Sequence, residues 1–280
     1  FSTNKKVYFT SNVKNLVYIS LSTKHVGNEP LRKSDILYNY NLESCGKMGV
    51  SNPKISISYP KSSPELAEFI GILIGDGSMS QTNYSIEISL NSEVDSLYIE
   101  YVKALIYQLF EVVPKQIKVK GRKLIKLRIN SVLLFRFLKD LDIPVGEGEK
   151  SIPNWILTKD ALVRSFLRGL FDTDGSLFLS SRRSILNISI SNRRLMDQVR
   201  LCLLKLGIEF SIINDNINLS SIKRMRKFLN LIGTSNTKNV IKFVEYMKNS
   251  KTIRSLDLPQ YLIKYREIKL PFKGSSASLF

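Results

Sequence analysis

Two aspartates, Asp76 and Asp174, close two similar stretches about a hundred residues apart: Phe69 to Gly77 reads FIGILIGDG and Leu167 to Gly175 reads LRGLFDTDG. Each is an apolar run studded with small residues and ended by Asp-Gly. Read as helices, both stretches deliver an acid from their last turn. Folding one onto the other brings the two carboxylates together. With the helix-end carbonyls of Gly75 and Thr173 and the negative ends of two helix dipoles, they form a hard-oxygen site suited to Mg2+. Mn2+ or Ca2+ is expected to fit the same oxygens. In a basic protein, such a site predicts metal-dependent phosphodiester hydrolysis, with the ion activating water and stabilising charge on phosphate.

The elements that must position the acids are legible in outline. Glycine inside a helix costs about 1 kcal/mol relative to alanine, yet Gly71 and Gly75 lie four apart, and Gly169 and Thr173 repeat the spacing. Residues four apart share a helical face, so these faces are expected to pack directly on each other. Ser63 and Pro64 supply a cap and a first helical residue for the first motif helix, and Thr158 is expected to cap the second. An isolated Asp-Gly is ordinary punctuation; the duplication carries the reading. Downstream of Asp76, Ile86, Ile88 and Leu90 alternate with Ser85, Glu87 and Ser89, predicting a half-buried strand. Residues 94–110 and 132–141 have helical spacing, with two strands between them around Gly121 and Arg122. After a connector at 151–157 the order recurs: a strand pair over 177–191, a helix over 195–206, a hairpin over 208–219 and a helix over 222–232. The expected division is an extension at 1–61, a first half at 62–150, a second half at 158–248 and a tail at 249–280.

Composition narrows the chemistry. The 280 residues carry 42 Lys and Arg against 24 Asp and Glu, a formal charge of +18, as expected of a polyanion-binding protein. The excess is concentrated at 151–280, with 22 basic and 9 acidic groups; 64–150 carry 11 and 12. Cys45, Cys202 and the single His25 cannot assemble a disulfide framework, a zinc-ligand set or a histidine-centred active site. Catalysis must then rest on carboxylates, lysines, amides and bound metal. No apolar run approaches the ~20 residues that span a bilayer, so no membrane partner is expected and the protein is expected to be intracellular.

The paired motifs resemble those of the double-motif LAGLIDADG homing endonucleases, over roughly Ser62 to Tyr246. The resemblance implies an α+β fold of two pseudo-symmetric αββαββα halves, motif helices at the pseudo-twofold interface, and saddle-shaped antiparallel sheets on DNA. It also implies Mg2+-dependent double-strand cleavage leaving 3′ overhangs, with the catalytic acids falling on Asp76 and Asp174. The family further places an amide after the early strands and a lysine beyond the third helix of each half; Asn91 and Asn192 are the amide candidates, Lys150 and Lys238 the lysines. One position departs from internal symmetry: Ile74 in the first copy is Asp172 in the second, where a structural role is expected.

Outward-pointing strand side chains could enter the major groove of double-stranded DNA, where each base pair shows a distinct pattern. Ser85, Glu87, Lys118, Lys120, Arg122, Lys126 and Arg128 in the first half, and Arg182, Arg183 and Asn187 in the second, are the candidate base or phosphate contacts. Unequal halves predict a monomer on a nonpalindromic site. The alternatives are an intron-RNA maturase or a noncatalytic DNA-binding regulator on the same scaffold. An intein would require terminal splicing residues that the chain's ends do not offer.

Overall fold

The computed structural model describes residues 57–146, 148–214 and 216–267. The strand-like runs noted at 5–10 and 15–21 lie outside them. The first motif becomes α1 (Pro64–Asp76), whose N-cap Ser63 accepts a hydrogen bond from the Leu66 amide at 3.2 Å. It is followed by β1 (Gly77–Ser80), β2 (Ser85–Asn91), α2 (Ser96–Phe110), β3 (Lys115–Lys118), β4 (Leu124–Asn130) and α3 (Val132–Asp140). After a short α4 (Asn154–Leu157) the order repeats as α5 (Asp160–Asp174), β5 (Gly175–Leu179), β6 (Ser184–Ser189), α6 (Arg193–Lys205), β7 (Ser211–Ile213), β8 (Asn216–Leu219) and α7 (Ile222–Leu231). Two further helices close the described chain, α8 (Thr237–Asn249) and α9 (Leu258–Glu267).

Both halves are therefore αββαββα units. Each holds a four-stranded antiparallel sheet, in the orders β1-β2-β4-β3 and β5-β6-β8-β7. The registers correspond: Gly77 faces Ile88 in one and Gly175 faces Ile188 in the other. In each, one sheet face carries Ile, Leu and Met into a continuous core with the helices, and the other faces away. The strict alternation of β2 follows from burying one face of a pleated strand while leaving the other polar.

The two motif helices cross at their glycines, where no side chain intervenes. A methyl group on Gly71 would overlap the Phe166 carbonyl oxygen, and one on Gly169 would overlap that of Glu68. One turn further on, a methyl on Gly75 would overlap the Thr173 hydroxyl. Small residues thus let the helix backbones touch, as the four-residue spacing predicted.

Three local readings are corrected. Thr158 does not cap α5: its hydroxyl donates to the Trp155 carbonyl at 2.7 Å, and Lys159 occupies the cap position without a side-chain bond. The connector contains α4, and the tail contains α9, which packs Leu258 and Leu262 against Ile241 of α8. Short and terminal helices of this kind draw their stability from packing, which local sequence shows poorly.

Candidate active site

Asp76 and Asp174 are the last residues of α1 and α5, so packing the glycine faces brings both helix ends to one place. Burial pushes the Asp76 carboxyl up to about 6, the Asp95 charge adds to the rise, and Lys238 and Lys150 oppose it. Burial likewise pushes Asp174 up to about 6, reinforced by Asp76 and opposed by Lys150. Asp174 thus feels the charge of Asp76, and both acids feel Lys150. Two C-terminal helix dipoles add negative potential to the same spot. Lys150 and Lys238 offset only part of this.

Lys150 enters from the loop after α3 and donates to the carbonyls of Ile74 at 2.6 Å and Gly75 at 3.3 Å. Lysine commonly satisfies the last carbonyls of a helix in this way. Gly75, expected to offer its carbonyl to a metal, therefore offers it to an ammonium group. Thr173 spends its hydroxyl on its own helix, donating to Gly169 and Leu170 carbonyls at 3.1 and 3.0 Å.

Lys238, near the start of α8, reaches the site differently. Its ammonium lies 2.8 Å from Oδ1 of Asp95, a residue 6% exposed just before α2. Asp95 also accepts from the Asn236 amide at 2.9 Å and from the Asn91 backbone at 3.2 Å. One turn along α8, Lys242 donates to the Leu177 carbonyl at 3.3 Å, and burial together with Lys238 holds its ammonium below the usual lysine range. Asp95, Asn236 and Lys242 went unrecognised in the sequence. An acid just ahead of an apolar helical pattern was a visible signal; its partner, 143 residues away, was not.

The amide assignments fare differently. Asn192 is the N-cap of α6, its Oδ1 accepting from the Leu195 amide at 2.9 Å. The Asn91 Oδ1 accepts from the backbone of Glu93 at 2.9 Å and Val94 at 3.2 Å, closing its own turn. Asparagine at the start of a helix or turn is recruited by the nearest orphan amides. These oxygens are occupied locally, and only the Asn91 backbone touches the Asp95 network.

Behind the acids runs a buried polar network. Glu68, 2% exposed, pairs with Arg168 through Nε at 2.9 Å and Nη2, and accepts from the Tyr101 and Ser235 hydroxyls at 2.7 and 2.6 Å. Asp172, 1% exposed, accepts from the Thr234 hydroxyl and, at 2.7 Å, from the Ser235 amide. Burial pushes Asp172 up to about 7, with the Thr234 hydrogen bond opposing. Asn236 donates both to the Asp172 carbonyl at 3.2 Å and to Asp95. The network ties α1, α2, α5 and the loop before α8 together, so Asp172 is built in as structure.

On the outward sheet face of the first half, Glu87 bonds Lys126 at 2.9 Å and Arg128 at 2.5 Å. Burial alone would raise the Glu87 carboxyl; the two cations hold it below its ordinary value. Ser85 shares this face by register but is buried, which corrects its placement among groups open to a ligand. Lys118 faces with Ile125, in the core-side row, yet is exposed at its strand end; with Lys120 and Arg122 it lines a shallow depression at the β3–β4 tip. Arg182 and Arg183 are exposed in the β5–β6 turn, and Asn187 donates to Asn218 at 3.0 Å.

Among the described residues, no cluster of three or more His, Cys, Asp or Glu side chains is placed to hold a metal ion, and no helix is long and apolar enough to cross a membrane. The residues that could hold a metal are the two motif carboxylates.

Comparison with known proteins decides the family. The LAGLIDADG-like domain family matches residues 161–248, and the WhiA LAGLIDADG-like domain family matches residues 67–141. The chain belongs to the LAGLIDADG family. Both copies of the motif fall inside matched segments, which makes it a double-motif member. Among curated proteins of Methanocaldococcus jannaschii, the chain is 27% identical over 225 residues to a replication factor C small subunit and 27% identical over 220 residues to a glutamine--fructose-6-phosphate aminotransferase. These matches take in 75% and 74% of this chain, and the chain spans only 12% and 19% of the lengths of those relatives. Similar solved structures include variants of the homing endonuclease I-DmoI, at 23% identity and a TM-score of 0.44, covering 61% of this chain and 96% of that one. The N-terminal LAGLIDADG domain of DUF199/WhiA is 23% identical, with a TM-score of 0.46, covering 64% and 88%.

Proposed function

We propose that this LAGLIDADG protein is a site-specific DNA endonuclease that hydrolyses both strands of a long asymmetric duplex with a divalent cation, Mg2+ in the cell, leaving 3′ overhangs. One observation carries the reading: two carboxylates from different halves meet at touching helix ends, both pushed up to about 6 by burial and neighbouring negative charge. Lys150 and Lys238 do not bring the pair back to ordinary carboxylate values, and its donors are hard carboxylate oxygens of the type Mg2+ prefers. The donor set therefore fits the ion, which Asp76 and Asp174 would hold together with phosphate oxygens of DNA. When bound, the ion would supply water activation and stabilise charge on the phosphate.

The chain's own residues do the rest. Lys150, anchored on the α1 end, places a fixed ammonium beside both acids, where charge develops on a transferring phosphate. Asp95, itself held by the Asn236 amide, orients Lys238 near Asp76. The outward sheet faces supply DNA contacts. The endonuclease named among similar structures has been crystallised with DNA and Ca or Mn, which accords with this reading.

A second reading is DNA binding without cleavage. The match of residues 67–141 to the WhiA domain and the capture of the Gly75 carbonyl by Lys150 favour it. Incubating the full chain with a randomised duplex library, in Mg2+ and in EDTA, and sequencing cut ends separates the two. Metal-dependent ends at one long motif support the endonuclease; enrichment of bound duplexes with no cut ends supports the binding protein.

A further inference from the structure

The outward rows of the two sheets correspond position by position. In the first half one row across the sheet runs Ser78, Glu87, Arg128, Lys115; its counterpart in the second runs Ser176, Asn187, Asn218, Ser211. The neighbouring rows are Ser89, Lys126, Ile117 and Ser189, Asn216, Ile213. Every charged residue of the first face has a serine or asparagine at its counterpart, and the outward strand positions of the second face carry no charge. The row beyond adds Phe178 and Ile185, with Phe178 51% exposed. This inverts the charge distribution of the chain, since the second half is the more basic. Its cations sit instead on its helices and in the β5–β6 turn.

In the major groove, guanine offers two acceptors suited to arginine or lysine; adenine offers an acceptor and a donor suited to an amide; thymine adds a methyl group that takes apolar contact. Arg128 spends Nε on Glu87, which leaves the guanidinium ends for guanine. Asn187 gives one N–H to Asn218 and accepts one hydrogen bond from the Ser189 hydroxyl at 2.8 Å. A primary amide has two N–H donors and two lone pairs, so one of each remains, the pair that adenine requires. Phe178 is an exposed ring on the same face. We infer that the two halves read different base chemistry: the first half selects G·C pairs through Arg128 and Lys126, and the second selects an A·T-rich half-site through Asn187 and Phe178. This rests on the sheets being the DNA-binding faces.

The test needs no cleavage. The full chain, with Arg128→Gln, Asn187→Ala and Phe178→Ala variants checked for unchanged melting, selects from a randomised duplex library in EDTA. The wild type is expected to enrich a site with G·C positions on one side and an A·T-rich stretch on the other. Arg128→Gln relaxes the first side and Asn187→Ala the second, each by about 10-fold or more, the discrimination of one bidentate contact. Replacing thymine by uracil on the A·T side, which removes only the methyl, weakens wild-type binding several-fold and leaves Phe178→Ala unaffected. A selected site in which the Asn187-sensitive positions are G·C, or in which both variants relax the same positions, overturns the inference and leaves sequence-specific binding standing. Selection of no sequence overturns the DNA reading beneath it as well.

Discussion

Substituting Gly71 by alanine tests the packing that brings the acids together. The added methyl would gain about 1 kcal/mol of helix propensity, so an uncrowded site would be stabilised. Here it meets the Phe166 carbonyl and, at 2.9 Å, the Leu170 backbone nitrogen. These are main-chain atoms of α5, which cannot swing aside, so the helices must part. Overpacking of this kind costs about 1–3 kcal/mol and more where the obstacle is rigid, leaving a net loss of about 1–2 kcal/mol. For a folded region of this size, that lowers the melting midpoint by about 2–8 °C. Gly75→Ala is instructive beside it, because its obstacle is a side chain, Thr173. Adding Thr173→Gly should recover most of the Gly75→Ala loss, with a coupling of about 1 kcal/mol, whereas no side-chain truncation on α5 rescues Gly71→Ala. Circular-dichroism melts of Gly71→Ala, Gly75→Ala, Thr173→Gly and the Gly75→Ala, Thr173→Gly pair check this. An unchanged or raised midpoint for Gly71→Ala refutes direct backbone contact.

Arg168→Met leaves Glu68 buried without its cation and should cost about 3–5 kcal/mol in urea unfolding, much of it recovered by also making Glu68→Gln. Asp76 and Asp174 have folded values raised from 3.8 to about 6, so the folded chain binds their protons more tightly than the unfolded chain. Their burden on stability is absent below about pH 4, grows as pH rises to about 6 and is full above it. Asp76→Asn or Asp174→Asn should therefore raise stability by on the order of 1–2 kcal/mol at pH 8, after discounting for residual solvent, and change little at pH 4; melts at the two pH values decide it. Lys150→Met should lower the cleavage rate by about 100-fold or more while DNA affinity shifts only a few-fold, as expected for a group acting on developing charge, measured by single-turnover cutting and by binding in EDTA.

The motif helices and strands were legible because their signals are periodic and local: small residues four apart on α1 and α5, and the alternation of Ile86, Ile88 and Leu90 on β2. The second and third helices of each half followed for the same reason. The network behind the acids was not legible, because Asp95 meets Lys238, and Glu68 meets Arg168 and Ser235, only once the halves fold together. Asn91 and Asn192 show the opposite failure. A rule about where an amide should stand pointed to them, yet backbone amides within three residues had a prior claim on their oxygens. The uncharged outward face of the second sheet was hidden by composition, since half-wide charge counts do not say which face carries the charge.

Asp76 and Asp174 are proposed to act as one pair on DNA. Strand-resolved cleavage of the selected duplex by wild type, Asp76→Asn and Asp174→Asn, in saturating Mg2+, tests it most directly. The expected result is cutting of both strands by the wild type and loss of double-strand cutting by at least about 100-fold in either variant, with DNA binding kept. Double-strand cutting at the wild-type rate by either variant, or wild-type protein that binds its site and never cuts, would contradict it.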